Sequence, residues 1–396
     1  MTVSDRAAAI WIGVIAAAIY AAAGIGLSTD YDYYGRLADA FLHGRWWLDE
    51  APPWLNELLQ CGDGRYCVAY PPLPAILSVP LVPFFSTAVA QVVVSRIAGG
   101  ASAGVLYYAL RAYGAPRTYA LAGALLSAFG TTLLFSSVDG RAWYAAHSVS
   151  MLFLAGAFAV AARGGSAVAI GALIGLAALA RLPVALAAPA LALLCARRAE
   201  ITYTRSLGGV IAGGAPFAIV YFGYNMLRWG VPLDEGYTRL TQGDVFFNHG
   251  LFSPIYLPRQ LYAIFVQPPD FISGTPFFLR PRYIGMSLLL TTPAFLWIFA
   301  ALREVRRDVV VAATGVAALL ALLPDLFHGT VGFQQFGYRF SIDAQPFLVA
   351  LALSGDGLFR GVWRRWPTIL FAVATFLALA VNIYATIAIT RFDYWQ

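Results

Sequence analysis

Apolar runs of about 20 residues recur along this chain, and they decide its class, because a helical run of that length crosses the hydrocarbon of a bilayer. Eleven runs are read, at 7–27, 88–110, 118–136, 147–162, 166–180, 184–196, 207–227, 284–301, 309–324, 344–359 and 367–388. The composition agrees: 60% of the residues are hydrophobic and 12% charged, where a soluble domain is nearer half and a quarter. The predicted fold is an all-α polytopic membrane protein, one domain over residues 1–396. The first run is too long for the core of a signal peptide and reads as a retained span. The stretch 73–85 (LPAILSVPLVPFF) is short and broken by proline, so it reads as an interfacial or re-entrant piece. The stretch 166–196, interrupted at Arg181-Leu182-Pro183, reads as one kinked helix or two short ones.

Charge sets the topology. With the N-terminus cytoplasmic, the inner segments hold thirteen arginines and five acids, and the outer segments twelve arginines and fifteen acids. That is the positive-inside pattern. It accounts for the net charge of +6 without nucleic acid. The inner loops are short, and their charges include Asp356, Arg360 and Arg364. Three outer loops are expected, at 28–87, 228–283 and 325–343, and all four histidines (His43, His147, His249, His328) fall on that side. Every basic residue is arginine, which excludes lysine chemistry. Cys61 and Cys67 share the first outer loop at a C-x5-C spacing. A disulfide is expected there; zinc is the weaker alternative, since two thiols make a poor site. Cys195 closes an apolar run.

The first outer loop opens on Asp30-Tyr31-Asp32 at the membrane boundary. Carboxylates are costly near hydrocarbon, so two of them there point to a wet cavity. The bland alternative is a pair of solvated loop acids or a helix cap. Downstream, RLADAFLHGRWWLDE reads as an amphipathic interfacial helix with two tryptophans. Tyr70, just before two prolines, is placed to donate to an anionic headgroup or to serve as a belt tyrosine. Asp139 and His147 stand beside the same face and join Asp30 or Asp32 as candidate ligands for a divalent cation, although their spacing matches no established ligand pattern. Arg181 and Arg339 lie in apolar surroundings, where a guanidinium needs an anion. A phosphate suits its forked donors; an acid such as Asp343 or Asp325 is the structural alternative. Arg280 and Arg282 read as snorkelling arginines. His328 and Tyr338 complete the candidate cavity. No nucleotide-binding glycine loop, serine elbow or H-E-x-x-H stands anywhere in the chain.

These residues resemble a family, the C-type (GT-C) multi-span membrane glycosyltransferases, especially bacterial relatives of protein O-mannosyltransferases and aminoarabinose–lipid A transferases. The resemblance is carried by the acidic opening Asp30 and Asp32, by Y-x-x-L-A-x-x-x-x-x-G from Tyr34 to Gly44, by Pro71-Pro72-Leu73, and by Gly337-Tyr338-Arg339-Phe340. It implies a GT-C fold in a bacterial plasma membrane, with the active site extracytoplasmic. The implied donor is a sugar on a polyprenyl phosphate, and the implied acceptor a hydroxyl on a glycan, lipid or protein, within membrane lipid. It further implies a first-loop aspartate as base and cations near the P-P element on the phosphate. Some relatives carry lysine where Tyr70 stands, so arginines are expected to hold the phosphate here. Many relatives add a soluble C-terminal domain; this chain stops at Gln396, so acceptor recognition is expected from loops or a partner. The expected roles are Asp32 as general base, Asp30 orienting the acceptor or a cation, and Arg339, Arg181 and Tyr70 on the phosphate. The transfer of a hexosyl or pentosyl group would invert the anomeric centre. A divalent cation is the one cofactor left open. The competing classes are a carrier or flippase for lipid-linked sugars and a non-catalytic subunit of an envelope assembly.

Overall fold

The computed structural model describes residues 3–273, 279–355 and 365–392. Helix α1 (Val3–Ala23) is followed in the first loop by α2 (Tyr33–Leu42). An antiparallel hairpin, β1 (Leu58–Gly62) and β2 (Arg65–Val68), is closed by the Cys61–Cys67 disulfide. Next come the short α3 (Leu73–Ser78), the long α4 (Thr87–Tyr113), and the pair α5 (Arg117–Phe129) and α6 (Leu133–Asp139), bent by 49°. After α7 (Ala142–Ala162) and α8 (Ala167–Ala178), a 3-10 segment, Leu182–Ala187, runs into α9 (Ala188–Ala199), and α10 (Tyr203–Trp229) follows. The second long loop carries α11 (Glu235–Leu240), α12 (Leu257–Phe265) and the strand pair β3 (Asp270–Phe271) and β4 (Leu279–Arg280). The chain closes with α13 (Leu288–Thr291), α14 (Trp297–Ala301), α15 (Val309–Leu326), a 3-10 segment Arg339–Ala344, α16 (Gln345–Gly355) and α17 (Arg365–Phe392).

Among the described residues, seven helices are long and apolar enough to cross a membrane, or eight with the bent α5–α6 pair as one span. The chain is an integral multi-pass membrane protein. Three of the eleven expected spans take a shorter form. The run at 166–180 is α8, 12 residues, or about 18 Å at helical rise. The run at 284–301 is split into α13, a 3-10 turn and α14, because Pro293 cannot continue the ladder. The run at 344–359 is described as far as Gly355; Asp356, Arg360 and Arg364 lie outside the described residues. The 166–196 stretch resolves into two helices, with Arg181 extended between them (φ −143°, ψ 100°). The interfacial helix is shorter than expected: it stops at Leu42 because Gly44 turns the chain at φ +71°, and Trp46 and Trp47 stand beyond it. The 73–85 stretch does not cross; α3 buries Leu73, Pro74, Ala75 and Ser78.

Small residues decide how closely these helices meet. A Cβ on Gly104 of α4 would collide with the Ala9 carbonyl oxygen of α1, and one on Gly100 with the Ala17 amide. Gly171 and Gly213 play the same part where α8 crosses α10. Gly104→Leu is expected to cost about 1–3 kcal/mol by overpacking, read as a lower thermal midpoint in detergent; an unchanged midpoint would contradict the close crossing. The core lies around α7 and α16, both buried over most of their surface.

The two ends of the bundle differ. At one, Asp5 is buried against Arg111 (3.3 Å) and Arg117 (3.1 Å), and Arg198 donates to the Tyr113 carbonyl (2.7 Å). At the other, Arg391 reaches the Ala23 carbonyl (3.0 Å), and the two long loops fold over the helix ends.

Candidate active site at the loop-bearing end

Gln91, fully buried on α4, fixes the start of the first loop. Its Oε1 accepts from the Tyr34 amide (2.9 Å), and its Nε2 donates to the carbonyls of Tyr31 (3.0 Å) and Gly140 (2.8 Å). Only glycine fits at position 35, where a Cβ would strike the Thr87 backbone. Asp32 therefore stands at the N-terminus of α2, 3% exposed, with both oxygens engaged. Oδ1 accepts from Arg36 Nε (2.7 Å) and Oδ2 from Thr87 Oγ1 (2.5 Å). Arg36 and Thr87 also line an open hollow of about 240 Å³ that includes Asp39, Arg45, Trp47 and Asp49. Asp30, by contrast, is exposed at the rim.

Next to that rim the aromatic residues converge. The Tyr31 ring lies 4.9 Å from the Trp143 ring. Trp143 Nε1 donates to both Glu57 Oε2 and the Tyr70 hydroxyl, each at 2.7 Å. Tyr70 packs edge-on against Tyr33 (5.6 Å) and lies beside Tyr237 (6.0 Å). Accepting from Trp143 leaves the Tyr70 O–H proton to be donated elsewhere. Glu57 keeps some solvent contact although protein surrounds it on most sides, as a group lining a recess does. Burial pushes its carboxyl up to about 7, against the smaller pull of the Trp143 bond and the Arg339 charge. Arg339 joins this group through Phe333, whose ring lies 5.8 Å from that of Trp143. It is 7% exposed, donates from Nη1 to the Phe333 carbonyl (2.7 Å), and lies over the Tyr144 and Phe340 rings at 5.5 and 5.4 Å. Its Nε has no hydrogen-bond partner among the described residues.

Arg181 sits differently. Nε (3.0 Å) and Nη2 (2.7 Å) both bind Asp343 Oδ2, and Nη2 also reaches Asp325 Oδ1 (3.2 Å). Asp343 Oδ1 in turn bonds His147 Nδ1 (2.8 Å). Leu73 connects this network to the P-P-L element through its amide, 2.9 Å from the Leu179 carbonyl. Of the two alternatives for Arg181, pairing with acids is the one the side chains take. Because Asp343 is fully enclosed, removing one partner strands a buried charge. Arg181→Ala or Asp343→Ala is expected to lose about 3–5 kcal/mol, seen as a large drop in thermal midpoint; a shift under a degree would contradict the buried network.

The remaining sequence candidates have structural partners. Asp139 is paired with Arg141 (3.2 Å), not with His147. His328 bonds the Thr330 carbonyl (3.0 Å) among Phe247, Phe252 and Phe340, and burial pushes it down to about 4, so it is neutral at pH 7. The Tyr338 hydroxyl donates to Gln260 Oε1 (2.9 Å), locking the 328–338 segment onto α12. Arg282 pairs with Asp270 (2.9 Å). The metal ligands drawn from sequence do not assemble: Asp30 is at the surface, and Asp139 and His147 belong to separate networks. Among the described residues no three His, Cys, Asp or Glu side chains gather as a metal site would need.

Sequence reading missed Glu57, Trp143, Tyr237 and Arg228. Arg228 binds the carbonyls of Val68 and Tyr70 and the Asn225 side chain (2.6 Å), and so sets the Tyr70 strand in place. Trp143 stood in view between Asp139 and His147; nothing in WLNELLQ marks Glu57.

No family model matches this sequence, and no curated protein matches it as a relative. Solved structures do match. ArnT from Cupriavidus metallidurans, in a crystal structure bound to undecaprenyl phosphate, is similar with a TM-score of 0.55 at 12% identity, over 97% of this chain and 65% of ArnT. The chain thus spans a little under two thirds of that neighbour's length. The apo oligosaccharyltransferase of Archaeoglobus fulgidus gives a TM-score of 0.47 at 16% identity, over 94% of this chain and 56% of the other. At such identity the likeness to ArnT is one of fold, and the fold is GT-C.

Proposed function

We propose that this chain is a membrane glycosyltransferase that moves a sugar from a polyprenyl phosphate to a hydroxyl on a glycan, lipid or protein acceptor. One observation carries the reading. Arg339, buried and with an Nε that finds no partner among the described residues, bonds the carbonyl of Phe333, whose ring packs on Trp143; Trp143 in turn bonds Glu57 and Tyr70 and lies against Tyr31, the residue next to the exposed Asp30. The GT-C fold and an ArnT neighbour solved with undecaprenyl phosphate support it.

In the proposed reaction the acceptor oxygen attacks the anomeric carbon, and its proton passes to Asp30. The bond from carbon to phosphate oxygen breaks, and the electron pair leaves with the phosphate. Arg339 meets that developing charge, and Tyr70 donates its free proton to a phosphate oxygen. A single displacement inverts the anomeric centre. Asp30 and Asp32 exchange the roles expected from sequence, since Asp32 spends both oxygens on Arg36 and Thr87 and so orients the loop. Arg181 acts through Asp343 and Asp325 by holding the floor of the site. In this reading the loop-bearing end faces outward in a bacterial plasma membrane. The short elements α8, α13–α14 and α16 complete eleven crossings.

The test is incubation of the purified protein with a labelled polyprenyl-phosphate sugar and candidate acceptors. Label leaving the carrier for a hydroxyl is expected. Label that only changes leaflet in liposomes would indicate a flippase and end the proposal.

A further inference from the structure

We infer that Glu57 is the protonatable counter-charge of the phosphate site. Neutral, it leaves Arg339 to bind a phosphodiester; ionised, it competes with that phosphate for the same guanidinium. This rests on the reading of Arg339 as the phosphate cation.

Glu57 is held from two directions. Its amide donates to the Tyr33 hydroxyl on α2 (3.1 Å), its Oε2 accepts from Trp143 on α7 (2.7 Å), and the same indole N–H reaches Tyr70 (2.7 Å). Its partner Trp143 packs on Phe333 (ring centroids 5.8 Å), whose carbonyl takes the Arg339 bond (2.7 Å), and the Arg339 charge acts on the Glu57 carboxyl. The other titratable groups in its field are Tyr33 and Tyr237, both pushed up by burial and so neutral. Among the described residues no carboxylate is bonded to Arg339, which donates to the Phe333 carbonyl and meets the Tyr144 hydroxyl. The buried guanidinium is thus linked, through Phe333 and Trp143, to a carboxyl that changes state near neutrality.

The sign follows from linkage. Glu57 is raised to about 7, so it carries its proton below that pH and loses it above. A bound phosphodiester stays anionic across this range and disfavours a second negative charge beside it. Binding therefore draws a proton onto Glu57 at alkaline pH, and affinity falls as pH rises through 7. Full linkage would weaken binding about tenfold per pH unit above 7.

A phosphodiester probe, the methyl ester of undecaprenyl phosphate, keeps ligand titration out of the measurement. Binding to the purified full chain is followed from pH 5.5 to 8.5. For the native protein, Kd is expected to rise roughly 3- to 10-fold between pH 6 and 8. Glu57→Gln, which still accepts from Trp143, should bind equally well at both, and Glu57→Asp should retain a pH dependence. Calorimetry of the native protein at pH 7.5, in buffers of different ionisation enthalpy, should show uptake of a fraction of a proton per probe. A flat native profile, an unchanged slope in Glu57→Gln, or zero proton uptake overturns the inference while leaving phosphate binding in place. Binding that ignores Arg339→Ala, or no binding at any pH, overturns the reading beneath it.

Discussion

Arg339→Ala is expected to lower transfer from a polyprenyl-phosphate donor by at least about 100-fold, the scale of losing one preorganised donor to a developing oxyanion. Arg339 is shielded from water, it is held by aromatic faces and the Phe333 carbonyl, and its Nε is unspent among the described residues. A guanidinium kept in that state is ready for a forked anion. Arg339→Lys should recover little, because an ammonium cannot reproduce the fork. The loss should appear in kcat/KM and in probe binding, with a thermal midpoint close to native. Arg181→Ala is the contrasting control, since its deficit is expected to follow loss of the buried acid network. Near-native transfer by Arg339→Ala would remove the phosphate assignment.

The second large effect concerns the two first-loop aspartates, which should separate. Asp30→Asn is expected to cost about 10²- to 10⁴-fold in kcat, the usual yield of a general base, with stability unchanged because the side chain is exposed. Asp32→Asn should lower both activity and the thermal midpoint. It removes the charge that accepts from Arg36 and Thr87 and leaves their donors short of a partner. Measuring kcat beside thermal unfolding distinguishes the two. Should Asp30→Asn stay fully active while Asp32→Asn loses turnover at an unchanged midpoint, Asp32 is the base and the exchange of roles proposed above is wrong.

What the sequence disclosed follows from how far apart the partners lie in it. The long apolar helices are local features, and α4, α7, α10 and α15 stand where their hydropathy put them. The Arg36–Asp32 contact is one helical turn and could be anticipated; Thr87, 55 residues away, could not. Glu57 meets Trp143 across 86 positions, and Arg181 meets Asp343 across 162. No spacing rule reaches that far. Arg181 and Arg339 looked alike as arginines in apolar context, yet packing gives one two carboxylates and the other none among its bonded partners. The apolar count also hid Pro293, which turns a run of spanning length into three short pieces. Hydropathy sums over a window, whereas a single missing amide hydrogen acts at one residue.

The most direct measurement is an experimental structure of the full chain with undecaprenyl phosphate bound. The phosphate is expected beside Arg339, within hydrogen-bond reach of its guanidinium and near Tyr70, with the Asp30 carboxylate facing the space where the sugar would sit. A phosphate bound instead at the opposite end of the bundle, in the hollow of about 410 Å³ beside Arg197 and Tyr203, with Arg339 untouched, would contradict it.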